Sequence, residues 1–283
     1  MANLPEQFTK QRDYLVCVDS DGCAMDTMNV KHFEYFGPLA ADEFNIQNKD
    51  QFQEDWNRVN LFSSTRGINR FKALVICLNN AKEAGEDIIN IDALAEWTET
   101  TSSLSNGSLE EALKDQDDES LKHALSWSQR VNKGIEEELA GNDKPFPGAK
   151  DGLAAISQKA DLAIVSSANS EALNSEWTRH GLMDYVDVVY GQEAGSKKDA
   201  IANLLEHGYD KHKILMVGDA PGDLKAATDN GVLFYPIIFG QEEESWAGLE
   251  NTGLDKFLND DYAGQYQESK VKDFEDNLAK HDK

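Results

Sequence analysis

One stretch near the start constrains the fold most: Val16-Cys17-Val18-Asp19-Ser20-Asp21-Gly22-Cys23-Ala24-Met25-Asp26-Thr27. The apolar run from Tyr14 to Val18 is rich in β-branched and bulky residues and ends at a turn signal, so it reads as a buried strand. Residues two apart on an extended chain project to the same side, so Asp19 and Asp21 can converge just past the strand's carboxyl end. Open α/β sheets bind ligands there. Asp21-Gly22 alone would also suit a hairpin turn. The segment that follows has a helical pattern, however, and no matching strand.

From Thr27 onward Val30, Phe33, Phe36, Leu39 and Ala40 recur at helical spacing, with Gly37-Pro38 as a kink or break. Further helical stretches run near Gln51 to Leu61, Ile68 to Ala84, Ile91 to Thr98, Leu109 to Leu113 and Leu121 to Leu139. Ser108-Leu109-Glu110-Glu111 has capping-box spacing, after a break at Asn106-Gly107. No β-rich run occurs between Met28 and Gly141, so roughly 110 residues of helix are inserted after the first strand, enough for a domain. Gly141 to Gly148, with two prolines and two glycines, is the return hinge. Apolar runs at Leu162 to Val165, Val186 to Tyr190, Ile214 to Val217 and Val232 to Tyr235 then alternate with helical patterns at Ala149 to Lys159, Glu171 to His180, Lys197 to Glu206 and Leu224 to Asp229. This alternation predicts a Rossmann-like, doubly wound parallel sheet of the α/β class. Pro236 to Phe239 either extend the last strand or leave it as an edge. Trp246, Leu249, Leu254, Phe257 and Leu258, then Tyr262, Tyr266, Val271, Phe274 and Leu278, predict helices packed on the core. The expected division is a core of residues 1–28 and 141–240, a helical cap of 29–140 and a helical extension of 241–283.

With 40% apolar residues in 283, the chain has the composition of a globular protein. Its 52 acidic against 27 basic residues give a net charge of −25, which argues against nucleic acid and anionic membrane as partners. An anionic substrate would need a local basic patch, and screening over about 10 Å makes such a patch sufficient. Cys17, Cys23 and Cys77 form an odd set without paired spacing, so no disulfide framework is expected. Met1 to Arg12 lack the apolar core of a signal peptide and no run reaches the length of a membrane span, so a cytoplasmic protein is expected.

The Asp19-Ser20-Asp21-Gly22 stretch resembles the first motif of the haloacid dehalogenase-like superfamily, DxDGx(T/V). Three further stretches follow in the order of that family's motifs. Val165-Ser166-Ser167-Ala168-Asn169 ends a strand with a hydroxyl and backbone N–H groups at a helix start, which suits an anion, although Ser167 or Asn169 could equally cap the helix. Its likeness to the second motif implies Ser166 as the hydroxyl that holds a transferring phosphoryl group, with Ser167 and Asn169 beside it. Lys197 and Lys198 open the next helix, where the dipole disfavours a cation. The third motif is a lysine near this place, and Lys197, next to the loop, is the preferred match. Val217-Gly218-Asp219-Ala220-Pro221-Gly222-Asp223 matches the fourth motif, GDxxxD after an apolar strand. Four clustered carboxylates raise one another's pKa unless a cation sits among them, and Mg²⁺ suits an all-oxygen set. The resemblance implies ligation by Asp19, the Asp21 carbonyl and Asp219, with Asp223 in the outer layer of the metal site.

Asp21, two residues after the nucleophile, is the family's mark of phosphoryl transfer. The resemblance therefore implies a Mg²⁺-dependent phosphatase of a small phosphorylated metabolite, in which Asp19 forms an aspartyl phosphate and Asp21 is general acid and base. A phosphomutase of the same fold and a noncatalytic binder are the alternatives. In the cap, Leu61 to Arg70 resembles the specificity loop of sugar-phosphate members, so Arg66 or Arg70 could clamp an anionic substrate. An ordinary helix start with exposed arginines fits the same residues.

Overall fold

A computed structural model describes residues 4–138 and 141–282. The expected helix end at Leu139 and domain boundary at residue 140 lie outside these residues. The chain forms two compact units, one of residues 4–28 and 143–280, the other of residues 29–138, 141–142 and 281–282.

The first unit is built on five parallel strands, β1 (Leu15–Val18), β2 (Asp161–Val165), β3 (Val188–Tyr190), β4 (Ile214–Gly218) and β5 (Leu233–Pro236), in the order β3-β2-β1-β4-β5. Central β1 pairs with β2 through Cys17↔Ala163 and with β4 through Cys17↔Met216. Every strand residue is buried, because helices cover both faces. The side-chain period of two divides the core. Val16, Val18, Ile164 and Val217 pack on one face with Leu153, Trp177 and Trp246, and Leu15, Cys17, Val165 and Met216 pack on the other with Ile201, Leu204 and Phe274.

The later segments complete both faces. Trp246, Leu249, Leu254, Phe257 and Tyr262 join the first, and Phe274 and Leu278 of helix Gln265–Ala279 join the second. Trp246 donates its indole N–H to the Cys23 carbonyl at 3.0 Å and lies over Gly152, where a Cβ would come within 2.5 Å of its ring. Edge strand β5 stops at Pro236, which cannot donate to a further ladder. Strand β3 starts at Val188, later than the expected Val186, since Asp187 closes on Leu162 with its amide at 2.8 Å and receives the Leu162 amide on its carboxylate.

The second unit is helical and packs around Phe36, Trp56, Phe71, Trp97 and Trp127. Trp56 and Trp127 meet edge to face at 5.7 Å, and their indole N–H groups donate to His32 Nδ1 and the Phe36 carbonyl, each at 3.0 Å. Gly37-Pro38 does not break the chain's helical course. The residues before it, Lys31–Phe36, widen into π-helical turns that accommodate the missing proline donor, and Gly37–Glu43 continues as α-helix. The capping box expected at Ser108 is also corrected. The helix starts earlier, at Asn106, and its cap is Ser105, whose hydroxyl accepts the Ser108 amide at 3.2 Å. No described helix is long and apolar enough to cross a membrane.

Candidate active site

The acidic stretch continues β1 beyond its last strand residue. The Asp19 amide donates to the Val217 carbonyl at 3.0 Å, so the ladder that holds β1 against β4 also fixes the Asp19 backbone. The chain then turns back on itself, with the Ser20 carbonyl accepting from Cys23, Ala24 and Met25 at 3.2, 3.0 and 2.8 Å. Gly22 supplies the positive φ of 82° that this turn needs. Asp21 stands half-buried on the turn and accepts a hydrogen bond from the hydroxyl of buried Thr27. Ser20, between the two carboxylates, is fully buried and accepts the Trp177 indole N–H at 2.8 Å.

Asp219 and Asp223 come from the end of β4 and the first turn of helix Pro221–Asn230. Gly218 is required by a close approach, since a Cβ there would lie 2.4 Å from the Asp223 side chain. Carboxylate oxygens of Asp19, Asp219 and Asp223 lie within 4.8 Å of one another, and all three residues are buried. Lys197, at the start of helix Lys197–Glu206, reaches this group. Its Nζ lies 2.7 Å from Asp19 Oδ2 and 2.5 Å from Asp223 Oδ1. Neighbouring Lys198 turns away and pairs with Asp229 at 3.5 Å. Lys197 occupies a helix start that would otherwise disfavour it, and Ser196 with Asp199 caps that start reciprocally.

Three carboxylates are buried together, and one ammonium, that of Lys197, pairs with two of them. Burial pushes the Asp19 carboxyl up to about 8; Lys197 opposes this shift, and Asp223 and Asp219 add to it. Burial works against the charge on Lys197, but Asp19 and Asp223 outweigh it, and the ammonium is held well above its ordinary value. An oxygen-lined, net-negative pocket of this kind fits a hard divalent cation such as Mg²⁺. Asp223 gives one oxygen to Lys197 and the other to the Ala220 amide at 3.0 Å. Asp19 is engaged in the same way, with one oxygen on Lys197 and the other accepting the Ser20 amide at 2.7 Å.

Ser166 follows the last residue of β2, is buried, donates its amide to the Tyr190 carbonyl at 3.0 Å, and accepts the Ala168 amide on its hydroxyl at 3.2 Å. Asp19, Ser166 and Asp219 thus each follow a strand's carboxyl end at the centre of the sheet. Ser167 and Asn169 are exposed. Asn169 is the cap of helix Ser170–Arg179, its side chain accepting the Ala172 amide at 2.8 Å. Arg66 and Arg70 belong to the helical unit. Arg66 is buried and donates to the Leu61 carbonyl at 2.6 Å. Arg70 donates to Asn132 at 2.6 Å and Ser128 at 3.1 Å and lies over the Phe36 ring at 4.8 Å, and burial lowers its pKa to about 10. Both arginines are thus engaged within their own unit, unlike the exposed pair that an ordinary helix start would present. Sequence reasoning assigns no role to Thr27, six residues from Asp21, or to Trp177, whose contact with Ser20 spans 157 residues.

A family model described as haloacid dehalogenase-like hydrolase matches residues 77–237, a span that contains Ser166, Lys197, Asp219 and Asp223. The chain is 28% identical over 142 residues to a phosphoglycolate phosphatase of Vibrio vulnificus strain YJ016, covering 42% of this chain and 62% of that one. It is 27% identical over 115 residues to a phosphoglycolate phosphatase of Neisseria gonorrhoeae, covering 38% and 49%. The chain therefore spans about half to three fifths of the length of these relatives. A solved structure titled as a predicted phosphoglycolate phosphatase from Haemophilus somnus 129pt superposes with a TM-score of 0.52 at 14% identity, over 80% of this chain and 85% of that one, a likeness of fold.

Proposed function

The chain belongs to the haloacid dehalogenase-like hydrolase family, and from that premise we propose that it is a Mg²⁺-dependent phosphatase of a small phosphorylated metabolite. The observation that carries this reading is Lys197 held between Asp19 and Asp223 in a buried carboxylate group, with a second carboxylate, Asp21, two residues along the same turn. The curated relatives' name, phosphoglycolate phosphatase, makes a small phosphorylated acid the first substrate to try.

In the proposed reaction a carboxylate oxygen of Asp19 attacks phosphorus in line, and the bond to the leaving oxygen breaks as Asp21 gives it a proton. The aspartyl phosphate is then hydrolysed by a water whose proton returns to Asp21, which restores both residues. Thr27 holds Asp21 in place for each transfer. Lys197 stays protonated and balances charge on Asp19 and on the phosphoryl oxygens, and Ser166 supplies a hydroxyl to them. Mg²⁺, held by Asp19 and Asp219 with the Asp21 carbonyl, would neutralise the phosphoryl oxygens and orient them. Hydrolysis of a phosphate monoester asks for a barrier reduction of roughly 20 kcal/mol or more, a scale that preorganised charge can reach.

The test is phosphate release by the purified protein with Mg²⁺ over a panel of phosphorylated metabolites that includes 2-phosphoglycolate, with Asp19→Asn beside it. Release that needs Mg²⁺ and disappears in the variant supports the reading and ranks substrates. Release that survives in the variant sinks the nucleophile assignment. Conversion of a sugar phosphate to its isomer without phosphate release would replace the phosphatase with a phosphomutase.

A further inference from the structure

Asp143, in the segment that returns from the helical insertion, is nearly inaccessible: its side chain is 1% exposed. Arg179 Nη1 donates to its Oδ2 at 2.5 Å, and His180 Nε2 lies 3.4 Å from the same oxygen. A buried carboxylate is costly unless it is paired, so this cluster holds the end of helix Ser170–Arg179 firmly against the returning segment. That segment is in turn laced to the acidic turn's own continuation. Asp26 donates its amide to the Lys144 carbonyl at 2.8 Å, Phe146 donates to the Ala24 carbonyl at 3.0 Å, and Lys144 Nζ sits 3.3 Å from Asp26 Oδ2.

The same helix carries two features of the site. Its first turn is capped by Asn169, two residues after Ser167 and three after Ser166. Less than one turn before Arg179, Trp177 donates to the hydroxyl of Ser20, the residue between Asp19 and Asp21. A rigid helix pinned at one end passes a displacement of that end along its length.

We infer that Asp143 is a positioning residue for the acidic turn: clamped by Arg179, it fixes the helix whose Trp177 holds Ser20 between the two catalytic carboxylates. Asp143 touches none of the reacting groups. Without it the helix end loses its partner, the Trp177–Ser20 bond lengthens, and Asp21 loses its setting relative to Asp19. The kinetic part of this inference rests on the proposed phosphatase reading; the structural part does not.

The experiment follows the full chain in two readouts, backbone amide exchange and steady-state hydrolysis, for Asp143→Asn, Trp177→Phe and the double variant. Asp143→Asn is expected to speed exchange at Ser20 and Asp21 by about tenfold while leaving Val16 to Val18 at wild-type rates, since coupling through packed elements is of this order. With a substrate identified by the metabolite panel, kcat should fall by about tenfold in each single variant with KM within about twofold, as for a small misplacement of reacting groups. The double variant should be no slower than the worse single one, because both act through one helix. Wild-type exchange at Ser20 and Asp21 in Asp143→Asn would overturn the inference, as would kcat losses that multiply. Should Asp143→Asn fail to fold, Arg179→Gln removes the cation that clamps the carboxylate, and its exchange at Ser20 decides in the same way. Should the wild type hydrolyse nothing, the phosphatase reading fails and the exchange arm alone judges Asp143.

Discussion

The two units bury their cations to different ends. In the sheet unit Lys197 bonds two carboxylates that arrive from different strands and helices, Asp19 from the end of β1 and Asp223 from helix Pro221–Asn230. In the helical unit Arg66 bonds a carbonyl five residues away, and Arg70 bonds neutral side chains and covers an aromatic ring. The first arrangement leaves negative charge in excess, the setting that the proposed reaction calls for. In the second, the hydrogen bonds of Arg70 to neutral side chains serve packing. An arginine between helices therefore says little about function, whereas a lysine shared by buried carboxylates says a great deal.

Breaking the sheet unit's arrangement at its centre should have the largest effect. Asp19→Asn removes the proposed nucleophile with almost no change of shape, so hydrolysis should fall by about 10⁴-fold or more, as for other enzymes stripped of a nucleophile. The fold should survive, and thermal unfolding run beside the assay checks that the loss is chemical. Lys197→Met comes next. It leaves a cluster of buried carboxylates without their cation, so the variant should lose about 3–5 kcal/mol of stability in the absence of metal. Activity should drop by about 10²–10³-fold, the scale for loss of one charge-stabilising group. Added Mg²⁺ should recover part of the stability. Lys198→Met, one residue along and turned toward Asp229, should stay within about 0.5 kcal/mol of the wild type. Equal effects at the two lysines would erase the contrast.

Arg70→Met sharpens the comparison from the other side. If Arg70 serves packing, the variant loses its bonds to Asn132 and buried Ser128 and should be destabilised by about 1–3 kcal/mol, with KM unchanged. A tenfold rise in KM at an unchanged unfolding temperature would instead restore the substrate clamp suggested by the loop's sequence.

These contrasts also mark what the sequence could convey. The Asp19/Asp21 and Asp219/Asp223 pairs were readable because each sits at the end of an apolar strand, where strand period and turn geometry place side chains within a few residues. Lys197 and Lys198 have different partners, since one step along a helix rotates the side chain from Asp19 to Asp229. The contact of Trp177 with Ser20, 157 residues apart, left no local trace, and neither did the clamp on Asp143. Local rules misled at Asn106-Gly107, which looked like a break. The pair forms the first turn of a helix, where glycine's flexibility costs little and Ser105 supplies the cap.

The smallest expected effect tests whether charge matters at all in the helical unit. Burial pushes the Glu43 carboxyl up, but hydrogen bonds from Arg130, His123 and Ser126 outweigh this, and its pKa lies below the ordinary 4.5. A depressed folded-state pKa contributes stability that is present above 4.5 and is lost as pH falls through the lowered value. The Arg130 contact is 2.6 Å long but the Arg130 side chain is 44% exposed, so solvent screening keeps the contribution under about 1 kcal/mol. Glu43→Gln should therefore lower the unfolding free energy by less than about 1 kcal/mol at pH 7. The gap between variant and wild type should close in acid, where the wild-type carboxyl is also neutral. A deficit that persists below the titration range would mean that Glu43 acts through the shape of its hydrogen bonds rather than through its charge.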